Sequence, residues 1–381
     1  MKYIVVGCGV SGVTIARILA EKNCKVEVWD RRNHIAGIMY DYIDEYGCLV
    51  HKYGPHIFHT NNEKVWSFVN RFEEWKPFKL ICGCIMDGKY TPTAFNFRTI
   101  DTFYSEEDAK RLKEKLKNAY PDEESVTVVE LLNHNDDDIR GYAEFLFAND
   151  YAPYTAKQWG VSPKEIDPSI LKRVPIRLSY EESYFTDTHE AMPMHSYTSM
   201  LKNMLQHPNI EVKLETDALD YFEINEDRIK CVGEDDVVVV YTGAVDELFG
   251  YRFGELPYRS LRFEWVHENK ESLQEAPVVA YPKANGYTRI TEYKKLPAQN
   301  ISGTTYAVEY PIPYERGQRT EPYYPVLTEE SSIKFKQYED VSKKIKNLVC
   351  CGRLGQFKYY NMDQAIESAM VVVENLLEKR E

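Results

Sequence analysis

Lys2-Tyr3-Ile4-Val5-Val6-Gly7-Cys8-Gly9-Val10-Ser11-Gly12, with Lys25-Val26-Glu27-Val28-Trp29-Asp30 downstream, is the stretch that decides the fold. The β-branched run before Gly7 predicts a strand. Apolar residues at Val13, Ile15, Ala16, Ile18, Leu19 and Ala20 predict a helix after the glycines, and Lys25 to Trp29 predicts a second strand. Strand, glycine turn, helix, strand and terminal acid together fit the dinucleotide fingerprint. Gly7 permits the tight turn, Gly9 lets backbone approach a pyrophosphate at the helix N-terminus, with Ser11 in the same turn, and Gly12 lets helix and sheet pack closely. Asp30, 18 residues past Gly12, is placed to accept hydrogen bonds from an adenosine ribose and disfavours a 2′-phosphate. The competing reading is a glycine turn that binds nothing. Arg31-Arg32-Asn33-His34-Ile35-Ala36-Gly37 runs on directly from the acid, a basic, glycine-containing extension suited to a longer cofactor, which favours FAD over NAD.

The C-terminus returns to the same theme. Asn347 to Cys351 reads as a buried strand, Gly352-Arg353 as a turn, and Met362 to Leu377 as an amphipathic helix. Arg353 is placed to pair with a pyrophosphate, although a surface arginine on a terminal helix is the simpler alternative. Val237 to Tyr241 followed by Thr242-Gly243 reads as a further strand and turn. A cofactor domain built from both ends and a middle segment is discontinuous, with the intervening residues inserted.

Those intervening residues read as mostly helical from Asn61 to Asn118 and from Val126 to Gln158. Arg259 to Trp265, Val278 to Tyr281, Tyr287 to Glu292 and Ala307 to Tyr310 read as strands of a second sheet. Four segments mix aromatics, arginine and glycine: His51 to Thr60, Tyr154 to Gly160 with Leu171 to Arg177, Tyr287 to Ile290, and Phe357 to Asn361. In the first, His56 and His59 have no acid or cysteine to complete a metal set, so a loop beside the cofactor is expected and no metal. In the second, two aromatic rings can hold a flat base while arginines clamp a diphosphate. Arg289, within an apolar strand, needs an anionic partner if buried. Core aromatics, a structural ion pair and surface cations remain the competing reading of these segments.

Composition bounds the rest. The 381 residues allow two or three domains, and 29 tyrosines favour amphipathic ligands with rings or sugars. A formal net charge of −13 is the wrong sign for nucleic acid. No stretch reaches the roughly 18 apolar residues of a membrane span. Arg17 and Glu21 interrupt the apolar start, which is expected to be a mature N-terminus. Eight scattered cysteines without a repeated C-x-x-C are expected to be reduced thiols of a cytoplasmic protein.

With these motifs in hand the chain resembles the UDP-galactopyranose mutase family over nearly its whole length. The matching residues include Arg32 to Ile35, His51 to Gly54 with His56 to Thr60, Lys157 to Gly160, Lys172-Arg173, Tyr251 to Gly254 with Tyr258 to Leu261, Tyr287 to Arg289, Glu321 to Pro325, and Gly352 to Leu354 with Lys358 to Tyr360. The resemblance implies an FAD-dependent isomerase, active when the flavin is reduced, that interconverts UDP-galactopyranose and UDP-galactofuranose through a covalent adduct of flavin N5 with the sugar. It implies Arg173 and Arg289 as the arginines that hold the substrate diphosphate and His56 as a group beside the flavin, these three making the catalytic set. It implies Tyr154 and Trp159 on the uridine side, and Tyr184, Tyr324, Tyr359 and Asn361 against diphosphate or sugar. Gly7, Gly9, Ser11, Gly12, Asp30, Arg31, Arg32, Gly37, His56, His59, Gly243, Arg353 and Met362 are then the cofactor-binding set. The partner implied is a nucleotide sugar, and the assembly expected is a homodimer.

The fold expected is α/β: a discontinuous Rossmann-like FAD-binding domain (1–60, 207–255 and 340–381), a mainly helical domain carrying a mobile substrate loop (61–175), and an antiparallel β-sheet substrate domain (176–206 and 256–339). The chain departs from the family at Ala36-Gly37-Ile38, where paired glycines and an asparagine are usual, at Asn361, usually an aspartate, and at Leu80, often an asparagine. The last two change which sugar hydroxyls can be satisfied. The alternatives are the same chemistry on another nucleotide-linked pyranose, an amine-oxidase-like flavoenzyme, and a non-catalytic nucleotide-sugar binder.

Overall fold

The structure, a computed structural model, describes residues 2–159, 174–234, 236–317 and 320–378. Five parallel strands lie in the order Ile210–Lys213, Lys25–Trp29, Lys2–Val6, Val237–Tyr241, Leu348–Cys350. All five fall within the three segments expected to form the cofactor domain. Alternation along Lys2–Val6 sends Tyr3 and Val5 into one core with Val13 and Leu19 of the helix Val10–Glu21, and Ile4 into another with Val239 and Tyr338. A strand buried on both faces needs β-branched residues throughout, which is why the run reads as continuous and not alternating. The terminal helix Met362–Glu378 packs beside Val10–Glu21.

A seven-stranded sheet stands against this unit, in the order Tyr324–Pro325, Tyr258–Glu268, Thr304–Pro313, Arg289–Glu292, Val278–Ala280, Cys82–Met86, Lys89–Thr93. Its pairings are antiparallel except for Val278–Ala280 against Cys82–Met86, which is parallel. The last two strands correct the helical reading of Asn61 to Asn118. They form a hairpin closed by Asp87-Gly88, with φ of +47° and +76°. Asp-Gly between short runs is the strongest local signal of such a turn.

Within 61–118 one helix, Glu63–Val69, precedes the hairpin; after it come Phe97–Phe103, Glu106–Ala119, Val128–Leu132, Asp137–Leu146 and Ala152–Trp159, around a core that includes Phe95, Leu116, Tyr142 and Leu146. One π-turn, Phe147–Tyr151, precedes the last helix. Among the described residues no helix is long and apolar enough to cross a membrane.

Candidate active site

At the first glycine turn φ of Gly7 is +105°, and a Cβ there would lie 2.1 Å from Thr242 Oγ1. A Cβ on Gly12 would lie 2.0 Å from the Gly7 carbonyl oxygen, so both positions exclude a side chain for packing reasons. Gly9 is different: its nearest neighbour to such a Cβ is Gly37 Cα at 4.0 Å, and what a side chain would fill is the cleft itself. Ser11 and Gly243 border the same cleft. Gly37 closes over Gly9 with φ +54°, while Ala36 before it takes φ +74° without being glycine.

Asp30 is buried at the end of its strand, where Oδ2 accepts the Cys8 N–H at 2.8 Å and Oδ1 accepts the Arg32 N–H at 2.9 Å. Arg31 and Arg32 border the cleft but are engaged with protein carboxylates, Arg31 with Glu247 at 2.9 Å and Arg32 with Glu321 at 2.5 Å. Arg353 is engaged differently. Its guanidinium donates to the carbonyls of Tyr323 and Tyr360 at 3.1 and 2.7 Å, and no described carboxylate lies within ion-pairing distance. A fixed, charge-uncompensated guanidinium lining a cleft beside a glycine turn fits the phosphates of a dinucleotide.

A second cleft adjoins the first. They share Ile38, His56, Tyr323, Arg353, Asn361 and Met362. His56 Nδ1 is buried there without a partner, and its backbone N–H donates to His51 Nδ1 at 3.0 Å. Burial drives His51 to about 3; burial, aided by His51 and Arg353, does the same to His56, so both rings are neutral at ordinary pH.

Tyr154, Tyr184, Arg289, Tyr324, Tyr359 and Asn361 all border this second cleft. The Tyr324 and Tyr359 rings stack at 5.5 Å and 10°, and the Arg353 guanidinium lies 5.2 and 5.1 Å from their centroids. Burial, with Tyr359 beside it, pushes the Tyr324 hydroxyl up to about 12, which keeps it a neutral donor. Arg289 meets Glu309 on the adjacent antiparallel strand, Nε at 2.9 Å and one Nη at 2.8 Å from the same oxygen. Burial opposes its charge, but Glu309 prevails and holds it protonated. Glu309 was invisible to the sequence reading because the pairing register of two strands twenty residues apart sets it opposite Arg289.

Three expected site residues stand apart from this set. His59 does not border the dinucleotide cleft; it stands in the second cleft, 3.0 Å from Asp187 and stacked on Phe185 at 3.7 Å. The antiparallel pairing of Phe58–Thr60 with His189–Pro193 turns it there. Arg173 and Gly160 lie outside the described residues, and Trp159 is described only as the end of its helix. Lys157 is a tether: its ammonium donates to the carbonyls of Tyr281, Ala284 and Tyr287 at 2.7–3.0 Å. Sequence reading also passed over Asp150, a buried carboxyl bordering the second cleft. Among the described residues no cluster of His, Cys, Asp or Glu could hold a metal ion.

Fold and clefts define a dinucleotide-binding protein whose cofactor site opens, at one end, into a second site rich in tyrosine and arginine. The chain belongs to the UDP-galactopyranose mutase family, and so to the isomerases: the model of that family matches residues 149–359. The model of the NAD(P)-binding Rossmann-like domain matches residues 5–72. A UDP-galactopyranose mutase of Mycoplasma pneumoniae is 34% identical over 99% of this chain and 96% of its own length. A dTDP-fucopyranose mutase of Escherichia coli is also 34% identical, over 98% of this chain and 99% of its own. Among solved structures, that of a reduced UDP-galactopyranose mutase superposes with a TM-score of 0.72 at 14% identity, covering 99% of this chain and 94% of the other. A putative protoporphyrinogen oxidase from Exiguobacterium follows the same fold, with a TM-score of 0.63 at 13% identity over 99% and 98%.

Proposed function

We propose that this chain interconverts UDP-galactopyranose and UDP-galactofuranose with FAD in its reduced state. The observation that carries the reading is the wall common to both clefts, at His56, Arg353, Asn361 and Met362, which lets the ring end of a cofactor face the sugar end of a nucleotide sugar. Three features fit FAD in the first cleft: the open space over Gly9, the uncompensated Arg353 and the unpartnered His56 Nδ1. Reduced FAD, when bound, supplies a nucleophilic ring nitrogen for the anomeric carbon, with no net transfer of electrons.

The protein's part is to hold and release the diphosphate. Arg289 spends two groups on Glu309, while its other Nη has no partner among the described residues and is free to donate to a phosphate. We assign Arg173 to the same diphosphate. Tyr324, neutral at working pH, and Tyr359 donate to diphosphate or sugar, as does Tyr184, with Asn361 against the sugar; Tyr154 and Trp159 flank the base. Donors fixed beforehand around a departing diphosphate stabilise it without reorganisation, and a closed cleft keeps water from the activated sugar. In this reading 1–60, 207–255 and 340–381 hold the cofactor, and 61–175 with 176–206 and 256–339 wall the substrate. The cysteines are all free, which supports a cytoplasmic location, and a homodimer is the assembly we expect.

The test is turnover of UDP-galactofuranose by dithionite-reduced enzyme, with pyranose product resolved by chromatography. Product only from reduced enzyme supports the reading. No product from UDP-galactofuranose, with turnover of dTDP-fucofuranose, would move the assignment to a 6-deoxy sugar, for which Leu80, buried beside the cleft, offers an apolar contact. Oxygen consumption with an amine would replace it by an oxidase.

A further inference from the structure

Asp150 takes no part in the function just described, yet its surroundings are unusual for a surface-facing acid. It is 6% exposed and lies within the π-turn Phe147–Tyr151, one turn before Tyr154 in the chain, and both residues border the second cleft. A π-turn is a local departure from regular helix that tends to serve a site. Asp150 Oδ1 accepts the Cys84 S–H at 3.3 Å, and Oδ2 has no hydrogen-bond partner among the described residues. Lys157, the nearest cation to act on it, is beyond ion-pairing distance and is itself spent on three backbone carbonyls. With Oδ1 held by Cys84, Oδ2 is the oxygen left to accept a donor from a ligand in the cleft that Asp150 borders.

Its position along the cleft says what that ligand offers. The register that pairs Arg289 with Ala280 and Ala280 with Cys84 sets Cys84, and the Asp150 it contacts, two strands from Arg289. Asp150 therefore stands two strands beyond Arg289 in the cleft that both border, with Tyr154 one helical turn after it in the chain and bordering the same cleft. A nucleotide sugar with its sugar at the shared wall and its diphosphate on Arg289 brings its base to Tyr154 and the base's edge to Asp150. Resting on that functional reading, we propose that Asp150 reads the nucleobase, its free Oδ2 accepting the ring N–H of uracil or thymine, so that the site selects pyrimidines bearing an N3–H. Burial lifts this carboxyl to about 6, which leaves it ionised and accepting near pH 7.5. Cytosine has nearly the same shape but carries a lone pair at N3, which would face the carboxylate oxygen without a proton between them. Cys84 positions the group by occupying Oδ1 and so fixing which oxygen faces the cleft.

Binding of UDP, dTDP and CDP to the FAD-loaded protein, measured by titration calorimetry, tests this without any turnover. UDP and dTDP are expected to bind about tenfold or more tighter than CDP, the scale of one charged hydrogen bond won or lost. In Asp150→Asn, with the amide oxygen kept by Cys84, the NH2 group faces the cleft as a donor, and the preference for UDP over CDP is expected to collapse or invert while flavin content stays unchanged. Equal affinity of the wild-type protein for UDP and CDP overturns the proposal even if the variant fails to fold, and so does an unaltered preference in a folded Asp150→Asn. Failure of all three nucleotides to bind would instead overturn the nucleotide-sugar reading, and this inference with it.

Discussion

At Gly9 and Gly37 the same residue type serves two different purposes, and the two can be separated. Gly9 has φ −83° and open space where a methyl group would go, so Gly9→Ala costs the fold little and fills the cleft instead. Gly37 has φ +54°, and an added Cβ would lie 2.9 Å from Gly9 Cα, so Gly37→Ala meets both backbone strain and a contact that must shift. We expect Gly9→Ala to unfold at the same urea concentration as wild type, both measured without cofactor, yet to purify with little flavin absorbance. Gly37→Ala should lose about 1–3 kcal/mol in the same titration. A yellow Gly9→Ala protein with unchanged flavin affinity would show that the turn does not face the cofactor. Ala36 shows the converse, a left-handed φ of +74° carried by a buried methyl-bearing residue, where the family usually has glycine.

Strands Arg289–Glu292 and Thr304–Pro313 set Arg289 opposite Glu309, and this pairing changes what a substitution at Arg289 means. Glu309 is 1% exposed and its Oε1 already lacks a partner. Removing the guanidinium therefore strands a buried carboxylate, a loss of about 3–5 kcal/mol for pairs of this kind. Arg289→Ala is expected to lose both mutase activity and stability by denaturant titration while still binding flavin, because Arg289 borders the second cleft and not the first. Adding Glu309→Gln to it should return much of the stability and none of the activity. Full stability in the single variant would show that Arg289 is not what compensates Glu309.

Across the whole molecule the two sheets are not independent bodies. One continuous core runs from Tyr3 and Val5 of the parallel sheet to Cys82, Val278 and Ala307 of the mixed sheet. Unfolding by calorimetry is thus expected as one transition. Because the cofactor cleft joins the first glycine turn to the short helix Gly352–Gly355 near the other end of the chain, the FAD of the proposed function would stabilise only the assembled protein. Adding FAD to the apoprotein at about 100 times its dissociation constant should raise stability by about 2.7 kcal/mol and move the whole transition upward. Two transitions, only one of them responding to FAD, would contradict the shared core.

The sequence by itself determined the features that local chemistry dictates. Gly7, Gly9 and Gly12 between two β-branched runs specify the strand, turn and helix, and the 3.6-residue apolar period of Met362 to Leu377 specifies the helix that covers them. The arginines and tyrosines of the second cleft were legible as residue types suited to a nucleotide sugar. The hairpin at Asp87-Gly88 was legible too, but its short flanking runs were outweighed by a helical pattern around them. Only the tertiary structure decided the pairings. That Glu309 answers Arg289, that His59 turns to Asp187, and that Asp150 meets Cys84 across 66 residues follow from strand register and chain crossing. No local propensity encodes such contacts, because the cost of burying each charge is met by a group far away in sequence.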